Sequence, residues 1–527
     1  MGGMVAASQP LAVGAGLKVL EIGGNAADAA IAAAAALGVC EPYSTGLGGD
    51  AFALYYHAAA KTVFALNGSG RAPMQLDLDK LHREGFANRI PDDHPYSVTV
   101  PGACAAWCDL VEKFGSLPLA SILEPAIQLA GGGFPVSPLT SYYWSLSTEN
   151  LPKNAHLGEQ FTIDGRAPFP GEVFRNPWLA YTMKVIAEKG KAGFYQGEIA
   201  EAIVSTLKNL GGCMTLEDIA SHQSSWEIPI STRYRNLQVW ECPPNGQGLA
   251  ALLALNLVEG YNLAEMPADS VQRLHLLIEA MKLAFADVRT HVTDGNFYPI
   301  PLDQLLSKSY AEQRRKLISP DSANLSFQTG IPASKSDTVY LSVVDREGNA
   351  CSFINSLYKD FGSGIAPQGL GFALQNRGCN FSLDPNHPNG IAPGKRPYHT
   401  IIPAMATNVQ GNDLYASFGV MGGFMQPQGH LQVLVGMADD NLDPQSALDR
   451  ARFCVDGEDL SGWVALEEGI AVDVMAGLSD LGHIIRPVSG TNRSLFGRGQ
   501  IIRRNPGTGV LWAGSDPRAD GCAMSLR

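Results

Sequence analysis

The sequence carries no basic run, no C-x-x-C pair and no long apolar stretch, and each absence closes off a class of function. Lysine and arginine number 38 against 51 acidic residues, a formal net charge of −13, and charged residues make up only 17% of the chain. Nucleic acid and anionic membranes are therefore not expected partners. The nine cysteines (40, 104, 108, 213, 242, 351, 379, 454, 522) are odd in number and scattered. They outline neither a zinc site nor a disulfide framework, and read as buried thiols in a reducing compartment. The longest apolar run, residues 29–40, is alanine-dominated and well short of the roughly 20 residues a bilayer requires. The opening MGGMVAASQP has no basic stretch followed by an apolar one, so the expectation is a cytoplasmic protein without a secretory signal. Glycine and proline, 57 and 33 residues, stay below the level that marks low complexity.

What is present is a globular chain of 527 residues, 45% hydrophobic. At about 150 residues per domain, length alone suggests three or four units. Residues 10–22 have helical apolar spacing and stop at Gly23-Gly24, a helix C-cap signal. Asn25 can cap the next helix, from Ala26 to Leu37, with Asp28 near its positive end. Because that helix is almost all alanine, it should be buried at close approach. It leads into TGLGGD, Thr45 to Asp50. A phosphate cradle is one reading of this loop. However, it follows a helix rather than a strand and lacks the G-x-G-x-x-G spacing, so a tight turn with close backbone packing is preferred. Phe52 to Arg71 reads as a hairpin, residues 100–330 as mainly helical, and the chain after 330 as short strands with a few helices. His275 and Glu279, four apart on a helix, lack a third metal ligand and read as an ordinary surface or packing pair.

The chemistry concentrates in SKSDTVYLSVVDREGNACSFINSLYKDFGSG, Ser334 to Gly364. Two β-prone runs flank Asp345 to Asn349, and Gly348 stands where a three-residue hairpin loop wants a left-handed residue. Counting back from that loop pairs 342 with 352, 340 with 354 and 338 with 356. Thr338 and Ser356 then face each other, which taken alone is most simply a cross-strand hydroxyl pair.

This segment resembles the γ-glutamyltranspeptidase (glutathione hydrolase) family of N-terminal-nucleophile hydrolases, in its cytoplasmic-type branch. Further matching motifs run in family order along nearly the whole chain: the N-terminal MVAASQPLAVGAGLKVLEIGGNAADAA, TGLGGD, SVTVPGACAAW, PPNGQG, GKRPYHTIIPAM and GVMGGFMQPQGH. The resemblance implies an α+β fold, a four-layer αββα sandwich with a single core. It also implies a precursor that cuts itself between Asp337 and Thr338, giving a helix-rich large piece (1–337) and a β-rich small piece (338–527). Thr338 becomes the nucleophile, activated by its own freed α-amine, whose pKa near 8 suits a base. Ser356 stands at the family's hydroxyl that hydrogen-bonds the nucleophile. Gly422 and Gly423 stand at its oxyanion-hole amides, and adjacent glycines leave such amides unobstructed.

The substrate clamp departs from the family pattern. Ser69 occupies the position of the carboxylate-binding arginine, with Arg71 two residues on as a substitute. Tyr358 replaces an asparagine. Asn380, beside Arg377, replaces the aspartate that holds the α-amino group, and His399-Thr400 replace two serines. An asparagine cannot pair with an ammonium as a carboxylate does. The expected function is hydrolysis or acyl transfer on γ-glutamyl amides such as glutathione, with no metal and no organic cofactor. The alternatives are the same chemistry on another small amide acid, an oxamate or glutaryl amide anchored by Arg71 and Arg377, or an uncleaved binding protein without enzymatic activity. Expected partners are a small-molecule amide and the chain's own two pieces as a heterodimer, with a dimer of these as a further option. No nucleic acid or membrane is expected.

Overall fold

Alternation along one strand, Asp337–Asp345, generates the layers of the molecule. Tyr340 and Val344 join Phe52, Leu54, Ile354, Met405 and Ile502 in an apolar layer between two sheets. Val339, Leu341 and Val343 face the other way, into a layer shared with the helices Pro10–Glu21, Ala26–Cys40 and Ala103–Phe114. A third apolar layer joins the far side of the second sheet to the helices Gly248–Val258, Val271–His291 and Met425–Ala438. Helix, sheet, sheet, helix is thus the order of layers, an αββα sandwich. The computed structural model describes residues 2–148, 156–324, 337–455 and 462–526.

The first sheet runs in the order Cys522–Ser525, Gly3–Ala7, Asp337–Asp345, Ala350–Tyr358, Asp50–His57, Thr62–Gly68, Ser225–Glu227. The second runs Leu511–Ser515, Arg498–Arg504, Leu414–Met421, Ala404–Asn408, Leu237–Glu241, Ile230–Tyr234. Each sheet contains strands from both sides of residue 337. The three or four units suggested by length are therefore replaced by one continuous sandwich.

The hairpin register follows the count from the loop. Val344 pairs with Ala350, Ser342 with Ser352 and Tyr340 with Ile354, and Gly348 takes a left-handed φ of +86°. The ladder shifts only between Asn355 and Tyr358. The N-terminal reading also holds in detail. Asn25 and Asp28 form a reciprocal capping box, and every residue of Ala26–Cys40 is buried. In the TGLGGD turn, a Cβ at Gly48 would meet the Ala373 carbonyl oxygen at 2.0 Å, and one at Gly49 the Ser356 carbonyl oxygen at 2.3 Å. Backbone fills the inner side of this turn, so the glycines serve close packing.

Several strands lie where none was expected. Ser225–Glu227, Ile230–Tyr234 and Leu237–Glu241 interrupt the helical middle. ISTRY and LQVWE do alternate, but each is only five residues long and offers a weak periodic signal between strong helices. Among the described residues, no helix is long and apolar enough to cross a membrane.

Candidate active site

Strand alternation turns Thr338 and Ser356 toward the space between the sheets, where both are fully buried. Their hydroxyl oxygens lie 3.1 Å apart. The Ser356 oxygen also accepts the Tyr358 N–H at 2.8 Å and Nη2 of Arg377 at 3.3 Å. Arg377 donates through Nη1 to Thr400 Oγ1 at 2.7 Å, and its guanidinium lies over the Tyr358 ring, 4.1 Å from the centroid. Tyr358 holds a left-handed φ of +82°, a costly conformation for a tyrosine, where the ladder shifts. That kink aims its N–H at Ser356 and lays its ring against Arg377.

Arg377 is 1% exposed, yet no described carboxylate lies within 4.0 Å of it. Burial lowers its pKa to about 10. Behind it, Asp50 pairs with Ser356 across the neighbouring strands. The Asp50 carboxylate accepts the N–H groups of Gly70 (3.0 Å) and Gly102 (3.1 Å) and Nε2–H of His399 (3.1 Å). Burial pushes Asp50 up to about 7, against the pull of Arg377. Burial, together with Arg377 and Arg396, holds His399 well below the usual histidine range, so it is neutral.

The paired glycines close the other side. Ser342 bonds Ser417 at 2.7 Å, and Gly419 packs on the Tyr340 ring. Gly422 and Gly423 directly follow the strand Leu414–Met421. Both glycines have positive φ, +124° and +58°. Gln247 ties this turn to the Arg377 partner, its Nε2 donating to Gly423 O at 2.9 Å and Thr400 O at 2.6 Å.

The structure thus brings together Thr338, Ser356, Tyr358, Arg377 and Thr400. Other candidates are engaged elsewhere. Arg71, one-third exposed, pairs with Asp294 at 3.2 Å and donates to Gly394 O. Asn380 donates to Tyr398 O at 3.2 Å, and Ser69 hydrogen-bonds Asn67 at 2.7 Å. Asp337 opens its strand, and its side chain lies outside the described residues. In the sequence, Asp50 reads only as the end of a glycine turn. The signal for it was a lone carboxylate heading an otherwise apolar strand, DAFALYYH.

A second buried cluster supplies the ligand that His275 and Glu279 lacked. His483 joins them, and the three offer ligand atoms within 4.8 Å of one another. The lone pairs a metal would need are nevertheless taken. Ser319 O can only accept, so His275 donates to it through Nε2 (2.7 Å) and accepts at Nδ1 from His483 Nε2 (2.8 Å). Lys282 donates to His483 Nδ1 (3.2 Å) and to Glu279 Oε1 (2.9 Å), and the Asn324 N–H donates to Glu279 Oε2 (3.1 Å). A lysine ammonium stands where a cation would bind, and the packing reading holds.

A sequence profile of the gamma-glutamyltranspeptidase family matches residues 12–526. The glutathione hydrolase-like YwrD proenzyme of Bacillus subtilis is 38% identical over 530 residues, covering 99% of this chain and 98% of that protein. The oxamate amidohydrolase proenzyme of Klebsiella pneumoniae is 33% identical, covering 99% of this chain and 98% of its own. Among solved structures, a cephalosporin acylase from Bacillus halodurans aligns with a TM-score of 0.93 at 45% identity, covering 100% of this chain and 96% of that one.

Proposed function

Because the chain belongs to the gamma-glutamyltranspeptidase family of enzymes, we propose that it is an autoprocessing amidohydrolase acting on a small amide that carries a carboxylate. Membership sets aside the non-enzymatic binding protein. In this reading the precursor is cut before Thr338, and pieces 1–337 and 338–527 remain together as a heterodimer. The freed α-amine of Thr338 takes the hydroxyl proton, and Oγ1 attacks the substrate carbonyl. Ser356 holds that hydroxyl in line, and the N–H groups of Gly422 and Gly423 receive the oxyanion. The C–N bond breaks as the leaving amine takes the proton, and water then hydrolyses the threonyl ester.

One observation carries the substrate side: the buried Arg377 guanidinium, unpaired with any described carboxylate, one hydrogen bond from Ser356 and two from Thr338. Burying an uncompensated cation costs several kcal/mol, and a substrate carboxylate would supply the counter-ion. A γ-glutamyl amide is the second reading, favoured by similarity to the glutathione hydrolase-like proenzyme. Such a substrate also brings an ammonium, which needs an anion. At the matched position Asn380 offers none, and its amide is already bonded to Tyr398.

A denaturing gel of the purified protein tests the cut. The expected result is two bands of about 36 and 20 kDa from the 56.1 kDa chain, the smaller beginning at Thr338 by N-terminal sequencing. A single full-length band without amidase activity would refute the reading.

A further inference from the structure

The position of Arg377 sets a length on the substrate. The Thr338–Ser356 hydrogen bond of 3.1 Å and the Ser356–Arg377 bond of 3.3 Å, laid end to end, place Nη2 of Arg377 at most 6.4 Å from the nucleophilic oxygen. Resting on the proposed function above, we infer that this site is built for amides whose carboxylate lies directly beside the scissile carbonyl or one carbon from it, rather than at the far end of a glutaryl or γ-glutamyl chain.

The lengths follow from ordinary contacts. An arginine–carboxylate hydrogen bond spans about 2.8 Å, and a nucleophile poised for attack stands about 3 Å from its carbon. When carboxylate and carbonyl share a bond, the carboxylate oxygen lies about 2.4 Å from the carbon attacked. Drawn out straight, the path from guanidinium to nucleophile is then about 8 Å, and ordinary bond angles close it to the available 6.4 Å. Three intervening methylenes lengthen the straight path to about 12 Å. Such a substrate must fold back on itself between Arg377 and Thr338, with the Tyr358 ring already pressed to one face of the guanidinium.

Charge points the same way. A carboxylate beside the carbonyl repels the oxyanion that forms there, so a short amide acid resists attack unless a cation stands close by. Arg377 meets that need. It is buried, so solvent screens it little, and it is fixed in place by Ser356, Thr400 and the Tyr358 ring. For a long acid, the same arginine would bind the far carboxylate and do little for the transition state. The two cases separate in kinetics: loss of Arg377 lowers kcat on a short acid and raises KM on a long one.

The test is ammonia release by the processed wild-type enzyme from oxamate, malonamate, succinamate and glutaramate, with γ-glutamyl p-nitroanilide beside them. Oxamate or malonamate should have the highest kcat/KM, with glutaramate at least about tenfold lower. Arg377→Ala should lose about a hundredfold on the best short acid, mostly in kcat. The wild-type series decides the matter even where that variant does not fold. Highest activity on glutaramate or the γ-glutamyl amide would overturn the length assignment and leave the amidohydrolase standing. No release from any amide, with no acyl ester on the small piece by mass spectrometry, would overturn both.

Discussion

Two buried polar clusters in this molecule each enclose a basic side chain and end differently. Around His275, Glu279, Lys282 and His483, each imidazole N–H meets an acceptor, and the lysine charge sits 2.9 Å from a glutamate. Around Thr338, the guanidinium of Arg377 is equally buried but, among the described residues, hydrogen-bonds hydroxyl oxygens and lies over an aromatic ring, with no carboxylate within 4.0 Å. The first cluster is complete in itself. It bridges the helix Val271–His291 to His483 and pins Ser319 and Asn324, so it fastens the segment before the proposed cut to the part after it. In the proposed reading, the substrate's carboxylate completes the second cluster. A residue census cannot separate the two, since histidine, glutamate and histidine at metal-like spacing belong to the structural cluster. Counter-ion accounting does separate them.

Substitution at Thr338, the proposed nucleophile, should break the comparison most completely. Thr338→Ala removes the hydroxyl used in both cutting and turnover, so it should leave a single 56.1 kDa chain. Amidase activity should fall by at least about 10⁴-fold. Processing retained in that variant would place the nucleophile elsewhere. Ser356→Ala comes next. It takes one hydrogen bond from Thr338 Oγ1 and leaves Arg377 Nη2 and the Tyr358 N–H without that acceptor. Steady-state kinetics should show kcat reduced about a hundredfold with KM changed much less; a change in KM alone would reduce Ser356 to a binding contact.

The same contrast explains what could be read from the sequence. Many of the helices and strands were legible because alternation and helical spacing are local, whereas the layers followed from the family resemblance. The hairpin register was legible because Gly348 marks its turn and the strands have period two. That count predicted the Thr338–Ser356 contact before any tertiary information. Arg377, by contrast, was legible only as one of several candidates beside Arg71. Their difference lies in partners brought from elsewhere in the chain: Asp294, 223 residues away, claims Arg71, while no described carboxylate claims Arg377. Asp50 and His399, 349 residues apart, became a pair only through folding. Lys282 was passed over for a related reason, since its importance depends on His483, 201 residues on.

Breaking the complete cluster should cost stability and spare chemistry. Lys282→Met leaves the Glu279 carboxylate buried and unpaired. Removing one partner of such a pair costs about 3–5 kcal/mol, which would appear as a lower urea midpoint. The processed fraction that stays folded should keep kcat/KM within about twofold of wild type, and chelators or added zinc should change nothing. A large loss of activity at unchanged stability would mean that this cluster, too, belongs to the reaction.

The smallest effect is the acid limb of stability. Burial, then Lys282 and His275, press the His483 pKa down to about 3, against about 6.5 in an unfolded chain. As pH falls below 6.5 the unfolded chain takes up this proton first, so the folded state loses stability between about 6.5 and 3 and is unaffected by this group above that range. One such histidine contributes a slope of up to about 1.4 kcal/mol per pH unit. His399, His430 and His222 are depressed in the same direction and add to the total. Urea midpoints measured from pH 7 to 4 should therefore fall for the wild type, and His483→Gln should flatten that fall by one histidine's share. An equal slope in the variant would mean that His483 already carries its proton in the folded state. The hydrogen-bond order from Lys282 through His483 to His275 would then have to be reversed.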